Sequence, residues 1–233
     1  PAHDPAGQRN AVGGTADGLM RTASGGRDRA QGLAFGLPIA PLSGIAAAPV
    51  STALGTGLGM LSGYKGGRID LLIQRTADVI NNVPLLPLLI FLIFVFGAQL
   101  WLILTFLVLF SWPGLAITVR SMVLGLSGNQ EVEAARAIGA SSRHILVRHI
   151  LPHTAPYVFM SLIFFVPAVI LAEAGLSFLG LGDPSLPTWG QMLEEGYQTG
   201  AVFLGYWWWV VSPGLLIVIT AMTFMLLALA MEP

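Results

Sequence analysis

Long runs without charged residues alternate with short polar segments along this chain of 233 residues. Uncharged runs cover residues 30–64, 79–119, 150–172 and 201–231. Because about 20 apolar residues cross a hydrocarbon core of ~30 Å as a helix, each run is long enough to span a membrane. The 41 residues of the run at 79–119 accommodate two spans with a tight turn at residues 97–99. The pattern predicts an all-α polytopic membrane protein with about five transmembrane helices.

Proline and glycine positions modify these predicted spans. Residues 38–49 contain three prolines, which predict an irregular start to the first run and leave residues 45–62 as its regular span. Proline is also expected to kink the third span near residues 111–114 and to break the last one near residues 212–214. Small residues recur every four positions in the first span, which predicts close packing against another helix. They are Ala47, Ser51, Gly55, Gly59 and Gly63.

Three polar segments precede or separate the spans. Residues 1–31 are rich in glycine, alanine and charged residues without regular periodicity, which predicts a loop and leaves residues 32–233 as the membrane domain. Residues 64–82 combine charges with apolar residues at helical spacing, typical of an amphipathic helix. Residues 183–200 contain no basic residue and are predicted to form a polar loop.

The composition argues against several classes of function. Hydrophobic residues make up 55% of the chain and charged residues 10%, unlike a soluble domain, and a net charge of −1 gives no reason to expect nucleic acid. Without cysteine there is no disulfide framework and no thiol nucleophile. His149 and His153 have the spacing of a helical zinc pair, but Pro152 separates them and no third ligand is near. We expect no metal site, no cofactor and no enzymatic activity from this chain's own residues.

A charge-dense island at residues 127–152 interrupts the apolar runs and predicts two short helices joined by a sharp turn. Either Ser127 or Asn129 is expected to cap the first helix, and the glutamine three residues after Ser127 fits a capping box. Gly139 is expected to end this helix, because glycine adopts the left-handed conformation without strain. One of the serines at residues 141–142 is expected to cap the second helix.

The side chains of the first short helix suit contact with another protein. Glu131 and Glu133 lie in its first turn, where carboxylates face the positive end of the helix dipole. Glu133 and Arg136 have the spacing of an ion pair. Ala134 and Ala135 present little side chain, so another protein's groove could approach the backbone closely. Since helices this short need a partner surface, we interpret the island as a docking element.

Two other interpretations of the island stay open. A helix, a glycine turn and a second helix with basic residues are also the pattern of a DNA-binding helix-turn-helix, although membrane-length runs on both sides disfavour it. The second alternative is a solvated loop without a partner.

Six positions of the island resemble the EAA loop of ABC importer permeases, the coupling element that sits in a cleft of the cytoplasmic ATPase subunit. That family usually has an apolar residue where this chain has His149, with Ile150 one place later. The resemblance implies that the first short helix, including Arg136, contacts the ATPase. The matching positions are Glu133, Ala134, Ala135, Gly139, Leu151 and Pro152.

Residues 171–182 resemble a second signature, LAExxLSFLGLG, of the peptide and nickel permeases. Residues 63–70 and 111–120 are similar to the GYxGGxxD and SWPxxARxVR segments of the same family. Glu173 lies within the second signature, beside a hydrophobic span, and a carboxylate there is a functional candidate. Two roles are open for Glu173, helix packing and contact with solute in the pathway.

The resemblance implies a type I ABC importer permease fold with a cytoplasmic coupling loop at residues 127–152. It implies a multi-pass permease subunit of the cytoplasmic (inner) membrane that couples ATP hydrolysis to import, with di- or oligopeptides as the first expectation. The implied partners are a second permease subunit, two ATP-binding subunits that hold ATP and magnesium, and an extracytoplasmic solute-binding protein. Alternatives are nickel or opine as solute, or a scaffold subunit that transports nothing.

Basic residues predict the orientation of the chain. They concentrate in the segments that follow the first and third predicted spans, and the positive-inside rule places both segments in the cytoplasm. Residues 1–31 are then extracytoplasmic. The family's first transmembrane helix and charged C-terminal tail have no counterpart in these 233 residues, which predicts an incomplete or processed chain.

Overall fold

The computed structural model describes residues 29–230, in which the regular elements are all helical. Residues 1–28 and 231–233 lie outside the described part, and with them most of the segment 1–31 predicted as a loop. The predicted all-α class is confirmed. The helices are α1 (Arg29–Lys65), α2 (Gly67–Asn81), α3 (Leu85–Phe96), α4 (Leu100–Leu126), α5 (Gln130–Ala137), α6 (Ser142–Ile145), a π-helical turn (Leu146–Ile150), α7 (Leu151–Phe178), α8 (Trp189–Gln198) and α9 (Trp208–Ala230).

Four helical segments in the described residues are long and apolar enough to cross a membrane. Helices α2 and α3 meet the same test only as a pair, and they are bent by 76° relative to each other. Helix α3 alone has 12 residues and is ~18 Å long, well short of a hydrocarbon core of ~30 Å. The four segments are Ile39–Lys65, Leu100–Leu126, Ser142–Phe178 and Trp208–Ala230.

The bent pair connects the two ends of the helical bundle. Helix α1 starts beside α8, where Gly36 faces the Trp189 ring, and near its end Met60 packs in the cluster that includes α5. Helix α4 starts at the α8 end, where the Leu100 N–H donates to Asp183 Oδ2 at 3.1 Å. Since α1 ends and α4 starts at opposite ends, α2 and α3 run between them as one bent span. The bundle then has five crossings, as predicted.

The run at residues 79–119 therefore holds parts of two spans, where the sequence predicts two complete ones. The bend falls at Pro84, which has no N–H to donate and disfavours helix in the residue before it. The predicted turn is confirmed, because α3 ends at Phe96 and α4 starts at Leu100. Gly97 has a φ of 87° at this turn.

The strip of small residues packs α1 against α4, as predicted. A Cβ on Gly59 would lie 2.6 Å from the Ala116 carbonyl oxygen, and one on Gly63 would lie 2.8 Å from the Arg120 carbonyl oxygen. Nothing larger than hydrogen fits at these two positions. The two backbones are in direct contact over this length, so α1 and α4 form one rigid pair.

Prolines interrupt the helices less than predicted. Helix α1 is continuous through residues 38–49, and α4 is continuous through Pro113. Helix α9 starts at Trp208 and runs through Pro213, so the predicted break at residues 212–214 is wrong. Pro213 lies in the second turn, where its ring removes only a hydrogen bond near the helix start. Neighbouring helices make such losses tolerable in membrane proteins.

Helix α8 lies in the segment 183–200, which the sequence predicts to be a loop. The Thr188 hydroxyl oxygen caps it by accepting from the Gln191 N–H at 3.3 Å. Trp189 and Met192 are buried one helical turn apart. That spacing is the signal for a helix, and the polarity of the segment obscures it.

Candidate coupling site

Helix α5 is a two-turn helix with a defined end. Gly139 has a φ of 81°, the left-handed conformation that was predicted to stop the helix. The Ala140 N–H donates to the Ala135 carbonyl at 3.0 Å and the Gly139 N–H donates to the Arg136 carbonyl at 3.1 Å. These two bonds form a Schellman motif, which satisfies carbonyls that the end of the helix leaves free. The turn after α5 is therefore fixed by glycine chemistry.

The predicted capping box at the start of α5 does not form. Ser127 is the last residue associated with α4, and its hydroxyl donates to the Val123 carbonyl at 2.7 Å. Asn129 stands at the N-cap of α5 without a capping bond from its side chain. The box fails because Ser127 completes the preceding helix. Further on, Ser141 caps α6 by accepting from the His144 N–H at 3.3 Å, as one of the two predicted serines.

Helix α5 divides its side chains between a buried and an exposed face. Val132 and Ala135 are buried against the rest of the chain, whereas Glu133, Ala134 and Arg136 are exposed. Of the two predicted docking alanines, only Ala134 is therefore left on the open face. Ala135 instead supports α5 from below.

Two further exposed residues complete this face. Ile138, next to the terminating glycine, has 86% of its surface exposed and was not singled out from the sequence. Arg136 makes no ion pair with Glu133 in the described part of the chain, and its guanidinium carbon lies 5.7 Å from the centroid of the Tyr64 ring on α1. An arginine over an aromatic face is favourable, so this contact ties α5 to α1.

A hydrophobic cluster below α5 connects it to three long helical segments. Val132 and Ala135 pack there with α1, with α4 and with the segment that leads into α7. Any displacement of α5 is passed to these helices, because a close-packed core transmits strain. Their buried residues in the cluster are Met60, Val119, Val123, Ile145 and Ile150.

The remaining predicted site residues, Leu151 and Pro152, start α7. Leu151 is partly buried against the cluster below α5, and Pro152 is exposed. The Leu151 N–H donates to the Leu146 carbonyl five residues back, which defines the π-helical turn. The wide turn precedes Pro152, whose ring would clash with a carbonyl four residues back in a regular helix. Both residues thus shape the junction between α6 and α7, one helix away from α5.

A charged contact near α5 links segments far apart in the sequence. Arg120 Nε donates to Asp70 Oδ1 at 2.5 Å and Arg120 Nη2 donates to Asp70 Oδ2 at 2.6 Å. The Ser62 hydroxyl donates to Asp70 Oδ1 at 2.5 Å and accepts from Gln74 Nε2 at 3.1 Å. Asp70 and Arg120 lie in two segments that resemble permease sequences, but nothing in the sequence indicates that they pair. Helices α1, α2 and α4 are joined here.

Glu173 lies at the opposite end of the bundle, in the interior. Its side chain is 3% exposed, and Oε1 accepts from the Ser177 hydroxyl at 2.6 Å. The Ser177 hydroxyl in turn accepts from the Thr188 hydroxyl at 3.5 Å, just where α8 starts. A Cβ on Gly190 would lie 2.7 Å from the Ala174 carbonyl oxygen, so α8 packs directly on α7.

The loop before α8 is held by a second carboxylate. Asp183 accepts from the Leu100 N–H and, through Oδ1, from the Ser185 N–H at 3.0 Å. Burial raises the pKa of Asp183, but the bonds from Ser185 and Leu100 outweigh it and hold that pKa below its ordinary value. Asp183 is thus a charged anchor for this loop at neutral pH.

The two histidines with the spacing of a zinc pair lie one helical turn apart around the start of α7. His153 Nδ1 lies 2.7 Å from the His149 carbonyl oxygen, a contact along the helix. Within residues 29–230, no group of three or more metal-binding side chains lies close enough to hold an ion.

The chain matches a family of membrane transport proteins. The family model described as "Binding-protein-dependent transport system inner membrane component" matches residues 55–232, which include α5 and its supporting helices. The chain is 38% identical over 181 residues to the oligopeptide transport system permease protein OppC of Haemophilus influenzae, covering 77% of this chain and 55% of that protein. It is 34% identical over 211 residues to the dipeptide transport system permease protein DppC of Bacillus subtilis, covering 90% and 65%. The chain thus spans about half to two thirds of the length of these curated relatives.

A solved structure has the same fold. It is described as an inward-facing conformation of the MetNI methionine ABC transporter, and it matches with a TM-score of 0.60 at 20% identity. The match covers 86% of this chain and 98% of that chain. The predicted type I ABC importer permease fold is confirmed.

Proposed function

This chain belongs to the binding-protein-dependent transport system inner membrane component family, and from that premise we propose that it is the membrane-spanning permease subunit of an ATP-driven importer. Its role is to convert movements of ATP-binding partner subunits into movements of its own membrane helices. ATP and magnesium bind to those partners, and the permease itself catalyses no reaction.

The exposed face of α5 is the observation that carries this proposal. It presents Glu133, Ala134 and Ile138 to a partner, while Val132 and Ala135 fix the helix to the bundle. A helix of eight residues is not stable alone. Its packing against the bundle is what allows it to transmit a displacement. The Schellman motif at Gly139 adds a stiff end to the same element.

The coupling step follows from this geometry. When the ATP-binding subunits close, they displace α5. The cluster below α5 passes the displacement to α1, α4 and α7, which tilt as rigid bodies between inward- and outward-open states. The α5 end of the bundle faces the cytoplasm in this scheme. Its basic residues support that placement by the positive-inside rule, among them Lys65, Arg68, Arg120, Arg136, Arg143 and Arg148.

The proposed assembly contains a second permease subunit, two ATP-binding subunits and an extracytoplasmic solute-binding protein. We assign di- or oligopeptides as the solute, since relatives over 30% identical are oligopeptide and dipeptide permeases. For Glu173 we propose the packing role, because the residue is buried and its hydrogen bond to Ser177 lies beneath α8.

Co-purification tests the docking role of α5. The chain is expressed with its candidate ATP-binding subunits, and Glu133→Lys is compared with wild type. The matched control is Asp78→Lys, the same charge change at an exposed position of α2, outside α5. We expect Glu133→Lys to lose the ATP-binding subunits and peptide uptake, and Asp78→Lys to keep both. Equal retention of the ATP-binding subunits by both variants would reject the docking role.

Uptake assays in proteoliposomes separate the remaining alternatives. ATP-dependent uptake of labelled di- or oligopeptides in the presence of the binding protein is the expected result. Uptake of nickel or opines in place of peptides would overturn the assignment of peptides as the solute. A subunit that binds the ATPase but supports no uptake of any of these would instead be a scaffold.

A further inference from the structure

Helix α2 is attached to the bundle through few polar contacts. Gly66 separates it from α1 and Gly67 is its first residue, and both have positive φ angles, 62° and 59°. Glycine adopts many backbone conformations at little cost, so these two residues by themselves do not fix the direction of α2. Within residues 29–230, the side-chain hydrogen bonds that leave α2 for another helix come from Asp70 and Gln74.

The remaining attachment of α2 is apolar. Ile73 and Ala77 pack against Trp112 and Ala116 of α4. Such contacts favour association, but the hydrophobic effect behind them is non-directional, so they define the angle of α2 less sharply than a directed polar bond does. A bidentate pair of arginine and carboxylate adds a fixed geometry, because two parallel hydrogen bonds define both distance and orientation.

We propose that Asp70 and Arg120 clamp α2 to the rigid pair of α1 and α4, so that the bent span α2–α3 moves with them when α5 is displaced. This inference rests on the proposed function. In it Asp70 and Arg120 are positioning residues, which touch neither solute nor nucleotide.

The clamp adjoins the residues that pack beneath α5 and that would transmit its displacement. Arg120 follows Val119 and lies one helical turn before Val123, and both valines pack beneath α5. Ser62, which also bonds to Asp70, lies between Met60 and Tyr64, the residues of α1 that meet α5. The surface that packs beneath α5 and the clamp thus lie on the same turns of α1 and α4.

The clamp differs from an ordinary surface ion pair. Its side chains are only 28% and 19% exposed for Arg120 and Asp70. The ion pair of Arg75 and Asp78, also on α2, is 76% and 55% exposed, with atoms 4.0 Å apart. Exposed pairs of this second kind contribute little, whereas loss of one partner of a part-buried pair leaves the other charge unsatisfied. Asp78 therefore offers a matched control.

The first experiment measures whether α2 is held in place. The sequence contains no cysteine, so spin labels can be attached at Leu72→Cys on α2 and Leu124→Cys on α4, both exposed sites. The chain is assembled with its partner subunits in lipid nanodiscs, and the distance distribution between the labels is recorded. We expect one narrow distribution, broadening with Asp70→Asn, and no change with Asp78→Asn.

The second experiment measures coupling. Peptide uptake per ATP hydrolysed is compared in proteoliposomes for the same variants without labels. We expect Asp70→Asn to lower this ratio about fivefold or more while ATP hydrolysis continues, in the range of typical coupling effects. Asp78→Asn should match wild type. The charge exchange Asp70→Arg with Arg120→Asp should restore the ratio and the narrow distribution, which a general loss of stability would not allow.

The outcomes separate the clamp from the function on which it rests. An unchanged distance distribution in Asp70→Asn overturns the clamp whatever the transport assay shows. A broadened distribution with wild-type coupling shows that α2 is clamped but that the clamp carries no motion, and it overturns the role proposed here. Wild type that imports no solute rejects the proposed function itself, and the coupling role of the clamp falls with it.

Discussion

The contacts around Asp70 and those around Glu173, at the two ends of the helical bundle, differ in kind. At the α5 end, charged side chains that reach water form the links, with Arg120 on Asp70 and Arg136 over Tyr64. At the α8 end, buried hydroxyls surround a carboxyl group, with Ser177 on Glu173 and Thr188 beside Ser177. Charged links with fixed geometry suit the α5 end, where α5 is proposed to be displaced by a partner. Buried polar contacts suit α8, which stays packed on α7.

The glycines at the two ends show the same difference. Gly139 needs its left-handed backbone to end α5, and nothing lies within 4 Å of a Cβ there. Position 190 must lack a side chain, because a Cβ on Gly190 would clash with the Ala174 carbonyl. Gly139 therefore depends on backbone conformation and Gly190 on close packing.

The largest effect is expected from Gly139→Val at the α5 end. A β-branched residue at a φ of 81° is strained by about 1–2 kcal/mol, and the helix escapes the strain by giving up its Schellman motif. We expect the protein to remain in the membrane but to lose ATP-coupled uptake. Uptake in proteoliposomes, together with the amount of protein in isolated membranes, measures this.

Gly128→Ala is the control for this prediction. Gly128 lies in the turn before α5, its φ is not positive, and nothing lies within 4 Å of a Cβ there. It should transport like wild type. Normal uptake by Gly139→Val would mean that the end of α5 bears no load, and the contrast between the two ends would disappear.

The sequence is sufficient to predict the elements that depend on local chemistry. Gly139 as a helix end, Gly97 in the turn and the small-residue strip of α1 all follow from single residues and their spacing. The pairing of Asp70 with Arg120 does not, because it joins positions 50 residues apart and depends on how three helices pack. Helix α8 was missed because its apolar residues are few and its segment is polar.

An intermediate effect is expected at Glu173. Glu173→Leu removes the acceptor of the buried Ser177 hydroxyl, and an unsatisfied buried group costs about 1–3 kcal/mol. Glu173→Gln keeps an oxygen that accepts this bond. We expect the leucine variant to unfold at a lower temperature than wild type and the glutamine variant to stay close to wild type. Thermal unfolding in detergent measures both.

The glutamine variant also separates the two roles of Glu173. If Glu173 packs α8 onto α7, Glu173→Gln keeps peptide uptake. If its charge contacts solute in the pathway, Glu173→Gln loses uptake while its unfolding temperature is unchanged. That second result would place a functional charge at the α8 end and would contradict the packing role.

The smallest effect is expected from Ser62→Ala at the α5 end. Ser62 is fully buried, donates to Asp70 and accepts from Gln74, so Ser62→Ala removes two hydrogen bonds, each worth about 1 kcal/mol. Both bonds between Asp70 and Arg120 stay in place. We expect a small fall in unfolding temperature and a change of less than about twofold in uptake per ATP. A free-energy change of about 1.4 kcal/mol corresponds to a factor of ten, and only part of the lost hydrogen-bond energy affects the coupling step.

Ser121→Ala is the control for the serine prediction. Ser121 lies next to Arg120, is exposed, and donates only to the Ile117 carbonyl of its own helix at 3.1 Å. It should match wild type in both measurements. If Ser62→Ala instead lowers coupling as strongly as Asp70→Asn, the hydroxyl rather than the guanidinium orients Asp70. The link at the α5 end would then be a buried polar contact like that at Glu173, and the two ends would work by the same means.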